Sequence, residues 1–491
     1  MIVYHGKVTA LIFDDPLYII RYSELGLKGP RARNSMEQTL VKNILSGLRK
    51  KGQNAIIKRD KGRIYLSSYS RDDIVSFVLE RTMGIKTFSL AHTGKISGLE
   101  DIIGGSVDLF SSKVSGKTYA VRAHRKGSHD FRSSDILTGI GDALFPFSAG
   151  VDLETPDLEI FVEVRDNRVY FFTSKIRGPG GLPLGSEGKL TALVSGGIDS
   201  PVAAWSMMKR GCPVDIVFCS LAHPTDTAGM LKSIIPLYED WGHGYDARIH
   251  IMDCSPLIDE FTLTGKYTMP NVEFKRAIYL LAKKIGINEG SCGIVTGESM
   301  GQVSSQTPEN LMAIEDGLNF PVYRPIIAWD KDDTTELARR IGTFTGENMG
   351  EYCSLFADRP VIKARSSDIN REMENYDLTD SIVMSSVTLR SSELVEYYRK
   401  LVDEGEQLSE IPSGAIVVHI GNKTGNLDFQ DGVNVVPDKL MEFVKQEGRD
   451  KTYVLVCKKG LQSAHWSGLL KAQGINAYYT TETRISKIRP K

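Results

Sequence analysis

The chain has 491 residues, a formal net charge of −1, and 41% hydrophobic and 25% charged residues. This composition is that of an ordinary globular protein, and the length predicts roughly three or four domains. No uninterrupted apolar run approaches the length of a membrane span. The N-terminus has no basic segment followed by an apolar one, so we expect no signal peptide and a cytoplasmic protein.

Six cysteines are scattered along the chain, and no two of them form a C-x-x-C pair. This spacing excludes a disulfide scaffold and argues against a zinc ribbon and against cysteine pairs that hold an iron–sulfur cluster. Cys212, Cys219, Cys254 and Cys292 lie in apolar or strand-like settings and are expected to fill cores. We therefore expect no tightly bound metal or iron–sulfur cluster.

The charge is distributed unevenly. Between Arg21 and Arg63 there are twelve Lys or Arg residues against three Asp or Glu, and between Lys117 and Ser133 there are five against one. Basic patches confined to the N-terminal third of a neutral chain indicate a polyanionic partner held there. Solvated helix faces are the alternative that charge alone leaves open.

The first 175 residues alternate strand and helix patterns, with a basic helix predicted over about 34–51. We divide them into a small α+β unit, 1–75, and a second unit, 76–175. The next segment, 176–189, reads IRGPGGLPLGSEGK. Its glycine and proline content is typical of a linker and marks a domain boundary.

The segment after this linker has the pattern of a ligand-binding loop. An apolar run that ends at Val194 is followed by Ser-Gly-Gly-Ile-Asp-Ser and then by an apolar-rich helix pattern. Ser200 is expected near the N-cap of that helix, with Pro201 at its first position and Gly211 beyond its end. The glycines allow close approach of the backbone, and the helix N-terminus offers N–H groups to an anion.

Residues 190–390 alternate apolar runs with helical patterns, which predicts a doubly wound parallel sheet. Three polar stretches, SGGIDS, SLAHP and TGESMGQVSSQT, fall at the ends of predicted strands. Because the carboxyl ends of parallel strands share one edge, we expect these stretches to converge on one ligand crevice.

The last unit, 391–491, contains the apolar run TYVLV followed by Cys457. A cysteine that ends a buried strand and begins a loop to a helix N-terminus is well placed to react as a thiolate. Lys458 and Lys459 add positive charge, and successive loop N–H groups can hold an anionic sulfur.

Several of these motifs resemble those of tRNA 4-thiouridine synthetases, the ThiI family of tRNA sulfurtransferases. The similar segments are YSELGLKGPRARN at the N-terminus, YAVRAHRKGSHDFRSSDI as in THUMP modules, SGGIDS with GESMGQVSSQT, RPIIAWDKDD, EYCS, and the Cys457 loop as in rhodaneses. They occur in the family's order over most of the chain, and they identify the chain as a member of the long form with a C-terminal rhodanese-like domain.

The resemblance implies an α/β multidomain fold. Its parts would be a ferredoxin-like N-terminal domain (1–75), a THUMP tRNA-binding domain (76–175), a linker (176–189), a PP-loop ATP pyrophosphatase or adenylation domain (190–390) and an α/β rhodanese-like sulfur-carrier domain (391–491).

The resemblance also implies roles for individual residues. Cys457 would carry persulfide sulfur, Cys353 would be a second functional cysteine, Asp199 would act through magnesium or orient the reacting phosphate, and Lys331 would stabilise anionic charge. The residues expected to bind ATP are Leu193, Val194, Ser195, Gly196, Gly197, Ser200, Arg276, Gly297 and Gln306. Those expected to face RNA are Lys28, Arg31, Arg33, Arg122, Arg125, Lys126 and Arg132, with Phe131 available for stacking.

The implied reaction uses ATP and Mg²⁺ to convert uridine 8 of tRNA into an adenylate. Persulfide sulfur from Cys457 then displaces AMP, either directly or after release as sulfide. A cysteine desulfurase would load Cys457, and a cellular reductant would reset a Cys353–Cys457 disulfide. A homodimer is possible by resemblance alone. Two alternatives stay open: a sulfur carrier for the thiazole of thiamine that uses Cys457, and another ATP-dependent tRNA-modifying enzyme.

Overall fold

A computed structural model of the chain describes residues 11–22, 24–60, 62–68, 72–220, 224–263, 266–346, 360–404, 408, 410–420, 432–436, 439–457, 463, 466–467, 470–471, 473–481 and 485. The chain divides into two compact units, Met1–Ser186 and Glu187–Lys491. In the described part of the chain, no helix combines the length and the apolar character that a membrane span requires.

Unit 1 alternates strands with four helices. In chain order these are β1 (Phe13–Arg21), α1 (Pro30–Lys50), β2 (Ile56–Asp60), β3 (Arg63–Ser67), α2 (Asp72–Arg81), β4 (Thr87–Lys95), α3 (Leu99–Phe110), β5 (Thr118–Lys126), α4 (Ser133–Leu144), β6 (Gly150–Val151), β7 (Leu158–Arg165), β8 (Arg168–Phe172) and β9 (Ile176–Arg177). The basic helix thus begins at Pro30, four residues before the predicted start, because proline is favoured in the first turn of a helix.

One continuous nine-stranded sheet runs through this unit, in the order β2-β3-β1-β4-β8-β7-β5-β6, with β9 beside β4. Strand β4 pairs antiparallel with both β1 and β8. The two α+β segments predicted as separate domains, 1–75 and 76–175, therefore share their main-chain hydrogen bonding.

Helices α1 and α2 cover one apolar core of this sheet, and α3 and α4 cover another. On α1, Met36, Leu40, Ile44 and Leu48 recur every four residues and are buried. This spacing places them on one face of the helix, as amphipathic packing requires.

The segment predicted as a linker is largely packed on unit 1. Leu182 and Leu184 are buried, and the Asn43 side-chain amide donates to the Leu184 carbonyl (2.9 Å). The Gly84 N–H donates to the Gly180 carbonyl (2.8 Å). The glycine-rich composition thus serves turns and close backbone contacts, and the division between the two compact units, after Ser186, falls within the predicted boundary segment.

Unit 2 begins with a six-stranded sheet and its helices. These are β10 (Leu190–Leu193), α5 (Asp199–Lys209), β11 (Val214–Ser220), α6 (Pro224–Glu239), β12 (Arg248–Asp253), α7 (Ser255–Leu263), α8 (Pro270–Asn288), β13 (Ile294–Val295), α9 (Pro308–Glu315), β14 (Val322–Tyr323), α10 (Lys331–Ile341), α11 (Ser366–Glu372), α12 (Thr379–Met384), β15 (Val387–Arg390) and α13 (Leu394–Glu404).

The strand order is β14-β13-β10-β11-β12-β15. The first five strands are parallel, as predicted, whereas β15 pairs antiparallel with β12 at the edge. The domain also extends beyond the predicted boundary at 390. Ser391 is buried, its N–H donates to the Ala247 carbonyl (2.8 Å), and its hydroxyl donates to Asp246 (2.9 Å).

A second, four-stranded sheet lies near the C-terminus. Its strands are β16 (Ile416–Ile420), β17 (Gly432–Val435), β18 (Thr452–Cys457) and β19 (Asn476–Thr481). Helix α14 (Leu440–Glu447) connects β17 to β18. The strands are parallel in the order β17-β16-β18-β19. This α/β arrangement agrees with the fold class expected for the last unit, and Cys457 is the last residue of the inner strand β18.

Candidate functional site

The turn from β10 to α5 forms a compact loop. The Ser195 N–H donates to the Ser200 hydroxyl (3.0 Å), and the Gly197 N–H donates to the Ser195 hydroxyl (3.3 Å). Helix α5 begins at Asp199, so Ser200 and Pro201 lie within its first turn rather than at the cap and first position. The predicted end is confirmed, since Gly211 follows the helix with φ +90°.

The segment that follows β13 packs directly against this loop. A Cβ built at Gly297 would lie 2.5 Å from the Ser200 nitrogen, so the contact admits glycine alone. The structure therefore brings together two of the three polar stretches predicted to converge. The third, SLAHP, lies mostly outside the described residues, with only Ser220 and Pro224 within them.

Asp199 is the centre of a charged contact between three segments. The Lys331 ammonium donates to both carboxylate oxygens of Asp199 (2.7 and 2.8 Å), and the Gln302 amide donates to one of them (2.8 Å). Asp199 and Lys331 are the first residues of α5 and α10. Two helix N-termini, each with a positive dipole end, thus meet at one point, and this arrangement favours a bound anion.

A buried carboxylate supports the same loop. Glu298 is 3% exposed, and it accepts hydrogen bonds from the Tyr279 hydroxyl (2.7 Å), the Thr296 hydroxyl (2.9 Å) and Arg324 (2.6 Å). The Lys275 ammonium lies 2.6 Å from its other oxygen. Burial raises the pKa of Glu298, but the positive charges of Lys275 and Arg324 have the larger effect and lower this pKa to about 2.

Sequence reasoning missed this network. Glu298 directly follows Gly297, which was predicted to bind ATP, and Arg324 begins the RPIIAWD segment. Their positions next to these motifs could have marked both as candidate site residues. Lys275 directly precedes Arg276, one of the residues expected to bind ATP. Through its ion pair with Glu298, Lys275 contacts the segment that follows β13.

Arg276 lies elsewhere. Its guanidinium donates to the Ala313 carbonyl at the end of α9 (3.0 Å), and burial lowers its pKa while Asp316 opposes that shift. Among the described residues, Arg276 contacts α9 and the turn that follows it rather than the β10–α5 loop. Its expected role in ATP binding therefore stays a prediction.

The remaining predicted nucleotide residues line the same strand edge. Val194 and Gly196 are buried, Leu193 is half-buried, and Ser195 is exposed. Gln306 is 8% exposed, and among the residues that the structure describes its side-chain Oε1 has no hydrogen-bond partner. A buried acceptor without a donor is costly, so this oxygen is suited to a donor supplied by a ligand.

At the end of β18, the Cys457 sulfur is buried beside Ser463. The Ser463 N–H donates to the Cys457 Sγ (3.4 Å), and the two side chains are in contact (Sγ to Oγ 3.3 Å). The Ser463 hydroxyl also donates to the Thr480 carbonyl on β19 (3.2 Å). Lys458 and Lys459 lie outside the described residues, as does Cys353.

Of the four cysteines expected to fill cores, Cys212, Cys219 and Cys254 are buried, the last two within an apolar core of unit 2, whereas Cys292 is not. Cys219 and Cys254 form a disulfide across the ends of β11 and β12, with a Cα–Cα distance of 5.5 Å. Cys292 is exposed, and Cys212 is a buried free thiol. In the described ranges, no group of three or more His, Cys, Asp or Glu side chains is placed to hold a metal ion.

The predicted RNA-facing residues of unit 1 fall into two groups. Lys28, Arg31, Lys126 and Arg132 are exposed. The others are hydrogen-bonded to the protein: Arg33 to the carbonyls of Gly26 and Lys28, Arg122 to Glu159 and the Leu153 carbonyl, and Arg125 to the Gly127 carbonyl and His129.

Phe131 does not fit its predicted role in stacking. It is 6% exposed and belongs to the apolar core beneath α3 and α4. An aromatic residue among basic ones is therefore a core residue here.

Comparisons with known proteins agree with this organisation. The family model described as "Thiamine biosynthesis protein (ThiI)" matches residues 185–378, "ThiI ferredoxin-like domain" matches 17–89, and "THUMP domain" matches 97–174. A solved 4-thiouridine synthetase–RNA complex with bound ATP is 28% identical with a TM-score of 0.66, over 76% of this chain and 99% of that one.

Two curated relatives match nearly the whole chain. The tRNA sulfurtransferase of Thermoplasma acidophilum is 41% identical over 482 residues, which is 96% of each chain. That of Pyrobaculum aerophilum is 37% identical over 95% of this chain and 96% of its own. With identity at this level over the full length, the chain belongs to the ThiI family of tRNA sulfurtransferases.

Proposed function

We propose that this protein uses ATP to activate uridine 8 of tRNA and replaces its O4 with sulfur, forming 4-thiouridine. The observation that carries the proposal is the meeting of Asp199, Lys331 and the Gly297 segment at the start of α5. Two helix N-termini and the Lys331 cation suit this site to a polyanion, and a similar 4-thiouridine synthetase of known structure was solved as an RNA complex with bound ATP.

ATP fits the residues present. The loop N–H groups and the two helix N-termini would hold phosphate oxygens, and Lys331 would add a mobile cation. The unpaired Gln306 Oε1 would accept a hydrogen bond from the adenine amino group. The Asp199 carboxylate is the hard oxygen ligand that Mg²⁺ prefers, and Mg²⁺ would supply neutralisation of phosphate charge.

The chemistry divides into activation and sulfur delivery. The uridine O4 attacks the α-phosphorus of ATP, pyrophosphate leaves, and C4 then carries AMP as a good leaving group. The terminal sulfur of a Cys457 persulfide, loaded by a cysteine desulfurase, displaces AMP at C4. The Cys353 thiolate then attacks the Cys457 sulfur, which frees the thiouridine and leaves a Cys353–Cys457 disulfide. A two-electron reductant restores both thiols.

The first experiment measures thionucleosides. Unmodified tRNA, ATP, Mg²⁺ and a persulfide donor are incubated with wild type, Cys457→Ala and Cys353→Ala, and the digested RNA is analysed by mass spectrometry. We expect 4-thiouridine with wild type only, and restoration of the Cys457→Ala product when sulfide replaces the persulfide. Absence of product with both donors, while tRNA and ATP still bind, would contradict the proposal and direct the search to another modified base.

A second function is favoured by the matched family's description as a thiamine biosynthesis protein. In that role Cys457 would pass sulfur to the thiazole precursor without the nucleotide site. Cells that carry Asp199→Ala or Cys457→Ala in place of the wild-type gene separate the roles. If only the cysteine variant requires thiamine, the carrier function is independent of ATP; if neither does, this second function is excluded.

A further inference from the structure

Asp199 is held by two donors of different kinds. Lys331 is half exposed and carries a full charge on a flexible stem, whereas the Gln302 amide is neutral. Lys331 therefore neutralises the charge of Asp199 when the two are paired. An ATP polyphosphate beside the start of α5 would compete for the same ammonium, because it carries more negative charge than one carboxylate.

Gln302 lies on a turn that is fixed to the segment before Lys331. The Ser299 hydroxyl donates to the Trp329 carbonyl (2.9 Å), and the Met300 N–H donates to the Ile327 carbonyl (2.9 Å). The turn is closed by hydrogen bonds from the Gly301 N–H to the Gln306 carbonyl (3.0 Å) and from the Gln302 N–H to the Ser299 carbonyl (3.2 Å).

Because the Gln302 turn is anchored in this way, its contact with Asp199 does not depend on Lys331. If the Lys331 side chain turns away, the Gln302 turn stays anchored to the backbone at 327–329, because none of its bonds uses the Lys331 ammonium. The amide can then keep its bond to the carboxylate. The neutral donor also leaves the negative charge of Asp199 available to a cation.

We propose that Gln302 is a positioning residue of the nucleotide site, which holds the Asp199 carboxylate in place when Lys331 leaves it for the ATP phosphates. The inference rests on the proposed use of ATP and adds an exchange of the Asp199–Lys331 ion pair. It predicts that Gln302 acts on the Mg²⁺-dependent part of ATP binding, since a fixed carboxylate is what a magnesium ion requires.

The test measures binding of an α,β-methylene analogue of ATP, which cannot release pyrophosphate, to the full chain by calorimetry. Mg²⁺ is titrated at a fixed analogue concentration, and the analogue alone is titrated without Mg²⁺. The variants are Gln302→Ala and Gln302→Leu, which remove the amide with and without loss of bulk. Met300→Ala is the matched control, because its exposed side chain lies on the same turn.

We expect the Mg²⁺ midpoint to rise at least fivefold in both Gln302 variants, the affinity for the Mg²⁺-free analogue to stay within twofold, and Met300→Ala to match wild type. An unchanged midpoint, or an equal loss with and without Mg²⁺, would overturn the inference and leave the proposed function intact. Failure of the wild-type protein to bind the analogue under any condition would overturn both.

Discussion

The proposed nucleotide site of unit 2 and the basic surface of unit 1 are both suited to phosphate but are built differently. In unit 2, Asp199, Lys331 and Gln302 come from three segments and share hydrogen bonds above a buried charged cluster at Glu298. In unit 1, Lys126 at the end of β5 and Arg132 before α4 are exposed. The first arrangement suits chemistry, which needs fixed geometry, and the second suits affinity for a charged backbone.

If this contrast is correct, removal of one charge in the proposed nucleotide site should cause the largest loss of activity. Asp199→Asn keeps the shape but removes the charge that pairs with Lys331, and we expect ATP-dependent pyrophosphate release to fall about 1,000-fold. Asp332→Asn, on the exposed first turn of α10, should stay within about twofold, since its effect on phosphate is only a screened surface charge. Equal losses in the two variants would mean that general surface charge, not position, controls the site.

The buried charged cluster at Glu298 should contribute to the free energy of unfolding. Glu298→Gln leaves Lys275 and Arg324 without their buried counter-charge, and we expect the free energy of unfolding to fall by about 3 kcal/mol in urea denaturation at pH 7. Glu447→Gln, which breaks the exposed pair with Lys451, should change it by less than about 0.5 kcal/mol.

The same variant should alter the acid side of the stability curve. The native pKa of Glu298 is about 2, below its ordinary value of 4.5, so the carboxylate stabilises the fold above pH 4.5 and loses that effect as the pH falls toward 2. The difference between wild type and Glu298→Gln should therefore shrink with acidification. A difference that is constant from pH 7 to pH 3 would contradict the role of Glu298 as a paired anion.

A second buried carboxyl tests whether unit 2 tolerates uncompensated charge away from its site. Glu273 is fully buried on α8, and burial, a hydrogen bond with Glu372 and the charge of Glu372 raise its pKa to about 8. Since the native state holds this proton more tightly than the unfolded chain does, stability should decline as the pH rises from 4.5 to about 8.

Glu273→Gln, a neutral isostere, removes that decline. We expect it to be about 1–2 kcal/mol more stable than wild type at pH 8.5, with the advantage disappearing near pH 5 in parallel thermal unfolding scans. An advantage of equal size at both pH values would show that packing, not ionisation, distinguishes the two side chains.

Much of the nucleotide site was predictable because its signals are local. A strand, two glycines and a helix start determine the loop at Ser195–Ser200, and Gly297 lies where a neighbouring strand ends. The Glu298 network was only partly predictable: Glu298 and Arg324 lie beside motifs, but Tyr279 and Arg324 are 19 and 26 residues from Glu298 and no spacing rule pairs them with it. Likewise, the burial of Phe131 depends on the sheet beneath it rather than on its basic neighbours.

We expect the smallest effects for substitutions in unit 1, where tRNA binding is measured. Here an exposed cation, Lys126, is compared with a cation in an ion pair, Arg122. Lys126→Ala should weaken tRNA binding about threefold and lower the salt dependence by about one phosphate contact. Arg122 is bonded to Glu159 (3.1 Å), which neutralises much of its charge, so Arg122→Ala should change the salt slope less. Filter-binding titrations from 50 to 200 mM salt measure both slopes. A larger slope change for Arg122 would mean that this arginine leaves Glu159 to bind a phosphate, and unit 1 would then contain an ion-pair exchange of the kind inferred at Asp199.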